Sequence, residues 1–143
     1  MSQQEPVKGR FVDKYPLTET ELKILMLIAS KVKKEDNLEE KTYKFDIQQV
    51  RKAIGLPESE DYEDLAAVTK KMIGKYFLVE GKTSTVYLKW LAAASYDLHE
   101  KTVAFSILPE LKDVYSYIGQ TSKLSDNLEI DSGIAKISQI FEK

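Results

Sequence analysis

Between Leu17 and Val32 the chain reads Leu-Thr-Glu-Thr-Glu-Leu-Lys-Ile-Leu-Met-Leu-Ile-Ala-Ser-Lys-Val, and no other stretch limits the fold as strongly. Thr18 is a good helix N-cap. Glu21, three residues on, completes a capping box, in which each side chain accepts the other residue's backbone N–H. Leu22, Leu25, Ala29 and Val32 then recur at the period of one helix face. Ile24, Met26, Leu27 and Ile28 fill most of the remaining circumference. A helix apolar nearly all round must be enclosed by its own domain or by a partner. Its 16 residues include Lys23 and Lys31, so it is too short and too charged to span a membrane. The rest of the chain is therefore expected to wrap around it.

The 143 residues suit one compact domain, or one domain with a tail. A hydrophobic content of 43% is enough for a core, and 31% charged residues supply a soluble surface. There is no cysteine, which excludes disulfides, thiolate metal sites and cysteine nucleophiles and fits a cytoplasmic protein. The polar start, Met-Ser-Gln-Gln-Glu-Pro, lacks the apolar segment of a signal peptide. With 21 basic and 23 acidic residues the net charge is -2, so DNA contact must come from a local patch and is expected to be weak.

Residues 1–10 read as a flexible leader, and Phe11 to Pro16 as extended chain. The apolar helix is followed by a charged loop from Lys33 to Lys41, then by a short strand, Thr42-Tyr43-Lys44-Phe45. Asp46 caps a second helix through Ala53, which Gly55 and Pro57 terminate. A third helix is predicted over about Tyr62 to Lys75, with Leu65, Val68, Met72 and Ile73 facing inward. Phe77 to Glu80 and Thr85 to Leu91 read as a hairpin closed by Gly81-Lys82-Thr83-Ser84. Ala92 to Ser95 continues extended or bulges, and Tyr96 to Lys101 is a polar turn. Thr102 to Ile107 alternates with Val103, Phe105 and Ile107 on a buried face. Pro109 opens a last helix carrying Leu111, Val114, Tyr115 and Ile118. The order helix, strand, helix, helix, hairpin, strand, helix predicts an α+β fold: a winged helix-turn-helix with a small antiparallel sheet and a closing C-terminal helix. The domain is expected to span residues 11–118. Residues 119–143 are read as a linker and a short amphipathic tail helix, with Ile134, Ile137 and Phe141 on one side.

Several pieces, in this order, resemble the N-terminal winged-helix domain of plasmid replication initiator (Rep) proteins that act at iteron-type origins. They are Tyr15-Pro16-Leu17-Thr18 leading into Glu21-Leu22-Lys23-Ile24-Leu25; Tyr43-Lys44-Phe45; Lys89-Trp90-Leu91; Ala94-Ser95-Tyr96-Asp97; and Val103 through Leu111, which ends in Leu108-Pro109-Glu110-Leu111. The resemblance implies a non-enzymatic DNA-binding initiator, cytoplasmic, whose first winged helix serves dimerisation and touches DNA backbone in initiation or autoregulation. It implies a homodimer, double-stranded plasmid origin or operator DNA, and host replication proteins as partners. The family's second winged helix, the usual reader of origin repeats, is not found in the 25 residues after Ile118. Specific origin recognition is therefore not expected of this chain alone.

The third helix holds the position that reads bases in a winged helix. Glu58, Glu60, Asp61, Glu63 and Asp64 crowd its N-terminal end and balance Arg51, Lys52, Lys70, Lys71 and Lys75 across the segment. Base readout there is not expected. The acids equally suit a helix N-terminus. The DNA-backbone candidates are Lys70, Lys71, Lys75, Lys82 and Lys89, because lysines position a protein on DNA without specifying sequence; an ordinary solvated surface explains the same lysines. Tyr87, Trp90 and Tyr96 offer a stacking platform for a single strand, against the alternative of core or interface aromatics. His99 is read as a turn histidine and, with no second histidine, no metal site is expected. Ser95 and Ser106 have no histidine partner, and Gly81-Lys82-Thr83 lacks the first glycine of a phosphate loop, so neither enzyme activity nor a cofactor is expected. Two other readings stand beside the initiator domain: a stand-alone winged-helix transcription regulator, and a protein-interaction module without nucleic acid.

Overall fold

The computed structural model describes residues 10–33 and 42–121. The helix α1 (Glu19–Ala29) is the centre of the molecule, with Ile24, Leu25, Met26 and Ile28 sealed from solvent. The Thr18 Oγ1 accepts from the Glu21 N–H at 3.2 Å, and the Glu21 carboxylate accepts from the Thr18 N–H at 2.8 Å, closing the capping box. Around α1 pack the helices α2 (Ile47–Ala53), α3 (Glu63–Ile73) and α4 (Lys112–Thr121).

Two three-stranded antiparallel sheets complete the shell. In the first, β3 (Tyr76–Glu80) lies between β1 (Arg10–Val12) and β4 (Thr85–Lys89). In the second, β6 (Thr102–Ser106) lies between β2 (Thr42–Asp46) and β5 (Ala93–Asp97). This differs from the expected single sheet. The chain leaves the first sheet after Lys89, buries the consecutive residues Trp90 and Leu91, and joins β6 when the Ala92 N–H donates to the Ser106 carbonyl. Two successive buried side chains break the period of two, and this marks the corner where the strand changes sheets. The Tyr115 hydroxyl donates to the Trp90 carbonyl, so the backbone of that corner is satisfied inside the core. Full burial holds the Tyr115 phenol far above its usual pKa range.

Other boundaries also shift. Arg10 belongs to β1 rather than to a leader, and β1 is a strand paired through Phe11 opposite Val79. A 3-10 turn at Pro109–Leu111 precedes α4, which runs to Thr121, beyond the expected edge at 118. The expected tail helix with Ile134, Ile137 and Phe141 lies outside the described residues. Of the residues placed inward on α3, Leu65 and Met72 are fully buried, Val68 and Ile73 are partly covered, and Thr69 is buried with them.

Candidate nucleic-acid interface

The pair α2 and α3 forms the helix-turn-helix, but its connection spans residues 54–62 and is far longer than a tight turn. Arg51 organises it. The guanidinium is buried and grips Asp64 in two bonds, at 2.5 and 3.0 Å. It also donates to the carbonyls of Pro57 at 2.8 Å and Asp61 at 3.1 Å. Gln48 holds the same loop by donating to the Ser59 carbonyl at 2.6 Å. Gly55, at φ +83°, supplies the left-handed residue that turns the chain out of α2.

This wiring changes the meaning of the acids. The Arg51 hydrogen bonds hold the Asp64 carboxyl below the usual carboxylate range, and Asp64 in turn raises the Arg51 pKa. Asp61 accepts the Glu63 N–H at 3.0 Å and so caps α3 from one residue before Tyr62. Two of the five carboxylates near the α3 N-terminus therefore have structural duties. Glu58, Glu60 and Glu63 remain exposed there.

The lysines separate into groups. Lys70 and Lys71 are exposed on the last turn of α3. Lys89 is exposed at the end of β4, directly opposite Tyr76, the residue where β3 begins just after α3. These three stand at the α3–β3 end of the hairpin. Lys82 is exposed in the turn at the other end, about 13 Å away along a five-residue strand. Lys75 is different. Its ammonium is engaged by the buried Glu21 carboxylate and donates to the Pro16 carbonyl at 3.2 Å. That contact ties the end of α3 to the start of α1, so Lys75 has a structural task that competes with phosphate contact.

Among the aromatics, Trp90 belongs to the core, stacked on Phe77 with ring centroids 4.2 Å apart. Tyr96 leans on Tyr62 at 5.2 Å, and its hydroxyl bonds Thr69 at 2.9 Å, joining β5 to α3. Burial is the main reason the Tyr96 phenol lies above its usual range. Tyr87 is 64% exposed and packs on Tyr76, which packs on Tyr15. Sequence reasoning did not find this chain of three because Tyr15 lies far from the hairpin in sequence. His99 is an exposed turn residue whose backbone N–H, like that of Glu100, donates to Asp97 at 3.0 Å. No helix among the described residues is long and apolar enough to cross a membrane.

The sequence model of a family described as initiator replication protein, WH1, matches residues 11–137. Among solved structures, the chain is similar to the WH1 domain of MSBI1.176, a replication protein isolated from a multiple sclerosis patient. The two are 14% identical with a TM-score of 0.53, over 74% of this chain and 86% of that one. At that identity the likeness speaks for the fold alone. No curated protein matches by sequence.

Proposed function

We propose a self-associating, DNA-backbone-contacting role in plasmid replication for this chain, which belongs to the WH1 family of initiator replication proteins. The observation that carries the reading is the division of labour on α3. Its N-terminal end is acidic and fastened into the loop by Arg51, while its last turn offers Lys70 and Lys71 to solvent. A helix so arranged touches phosphates rather than base edges. Lys89 extends the same end of the molecule and Lys82 adds a contact at the hairpin tip. Lys75 contributes to holding α3 rather than to DNA.

Self-association is supported by the β5 edge. Of the four edge strands among the described residues, β1 carries Arg10, β2 carries Lys44 and β4 carries Lys89, whereas Ala93–Asp97 has neither a basic residue nor proline and its single charge, Asp97, stands at its end. Such an edge lacks the usual protection against pairing with a second chain. We assign the homodimer to antiparallel pairing of two β5 strands, with initiation or autoregulation of a plasmid in the cytoplasm as the setting and host replication proteins as further partners.

Sedimentation across a concentration range tests the dimer. The wild type should pass from monomer to dimer, and Ser95→Lys, at an exposed position of the strand, should remain monomeric without loss of helix signal. A wild type that stays monomeric at high concentration contradicts the dimer. A shift assay on duplexes with and without direct repeats tests the DNA half; binding indifferent to repeats fits backbone contact, and strong repeat preference favours a sequence-reading regulator.

A further inference from the structure

The outer face of the first sheet bears Lys89 and, beside it, a group of aromatic side chains. Along β3 and β4 the side chains alternate. Phe77, Val79 and Leu88 enter the core cluster, while Tyr76, Leu78, Tyr87 and Lys89 belong to the opposite face. On that face Tyr15, Tyr76 and Tyr87 form a continuous ladder, with ring centroids 5.0 and 5.8 Å apart. The rings are tilted by 55° and 50°, so they meet as steps rather than as a closed stack. The two outer rings stay open to solvent, Tyr15 at 46% and Tyr87 at 64%. Among the described residues only one other large hydrophobic side chain, Leu98, is comparably exposed. A hydrogen bond with Tyr15 holds the Tyr76 phenol above its usual range.

Charge decides what fits. Lys14 is exposed beside Tyr15, Lys89 lies across from Tyr76, Lys82 stands at the hairpin tip and Arg10 at the β1 end. Over β1, β4, the hairpin turn and residues 13–15, the opposing acid is Asp13; Glu80 of β3 lies directly across from Arg10. An aromatic face ringed by cations, on a chain whose net charge is -2, suits a polyanion with flat groups. Duplex DNA hides its base faces; a single strand exposes them and can stack successive bases on tyrosine while lysines track its backbone.

We infer that the outer face of β1, β3 and β4, through Tyr15, Tyr76 and Tyr87 with Lys14 and Lys89, is a binding site for single-stranded nucleic acid. It does not depend on the β5 dimer or on duplex contact by Lys70 and Lys71.

The test uses the full chain and fluorescently labelled oligothymidine of about 15 nucleotides at about 50 mM salt, followed by anisotropy and by intrinsic tyrosine emission. The expected result is saturable binding that quenches tyrosine. Tyr15→Ala and Tyr87→Ala should each weaken binding about tenfold. Tyr87→Phe should retain it, and Lys89→Glu should weaken it and flatten its salt dependence. Both tyrosines are exposed, so circular dichroism and the emission of the buried Trp90 should stay as in the wild type. Absence of binding, or undiminished binding by the folded Tyr15→Ala/Tyr87→Ala variant, overturns the inference. So does tyrosine quenching by decaproline in place of oligothymidine, which would assign the ladder to a proline-rich peptide. Loss of self-association in the tyrosine variants would likewise overturn it, by assigning the face to a second copy of the chain.

Discussion

Arg51 and Lys75 show how differently similar side chains are used within one short segment. In sequence both belong to an evenly balanced set of bases and acids. In the fold the Arg51 guanidinium joins α2 to the loop and α3, and Lys75 joins α3 to α1. Neither role was legible in the sequence, because Arg51 meets a carboxylate 13 positions on and Lys75 one 54 positions back. The Thr18–Glu21 box was legible because both partners lie within one helical turn. Arg51 gives a pH prediction. The Asp64 carboxyl is held below its ordinary value in the folded chain, so its contribution to stability is complete above the unfolded pKa of about 3.9. That contribution is lost as pH falls through the folded value. Asp64→Asn should therefore melt lower than the wild type at neutral pH, and the gap should close as the pH is lowered below about 4. Thermal melts across that range check it; a gap that stays constant would mean the ion pair contributes nothing.

The helices α1 and α4 pack backbone against backbone at Gly119. A methyl group built on Gly119 would stand 2.3 Å from the Ala29 carbonyl oxygen. Replacing a helical glycine by alanine ordinarily stabilises by about 1 kcal/mol through propensity. Here the clash with backbone wins, and Gly119→Ala should destabilise by about 1–3 kcal/mol in denaturant melts. Gly74→Ala, whose added methyl meets nothing closer than 3.5 Å, is the tolerated control. Leu25 is fully buried in α1, so Leu25→Ala should lose about 2–5 kcal/mol and Leu25→Asp should abolish the cooperative transition. An unchanged melting temperature in Leu25→Asp would mean that α1 is not the centre of the core. The helices were legible because their caps and apolar periods are local. The second sheet was not, because β5 begins two residues after the fully buried Leu91, and the other neighbour of β6 is β2, which pairs Thr42 with Ser106 from the far side of the helix-turn-helix. β1 was read only as extended chain, since three residues carry too little pattern to announce a strand.

At the scale of the whole molecule, a nearly neutral chain of an initiator family must confine its DNA contact to part of its surface. We propose that this part is the last turn of α3 and the adjoining hairpin, while the acidic end of α3 holds the helix-turn-helix together. The Lys candidates were legible in sequence as a set; which of them stay exposed and which is enlisted by Glu21 required the fold. The most direct test is duplex binding by the full chain as a function of salt, for the wild type and for Lys70→Glu/Lys71→Glu. Wild-type binding should be weak and fall steeply with salt. The variant should have unchanged stability, lower affinity and a salt slope smaller by about 1 for each lysine lost. A variant that binds duplex with the wild-type affinity and slope would contradict the proposal.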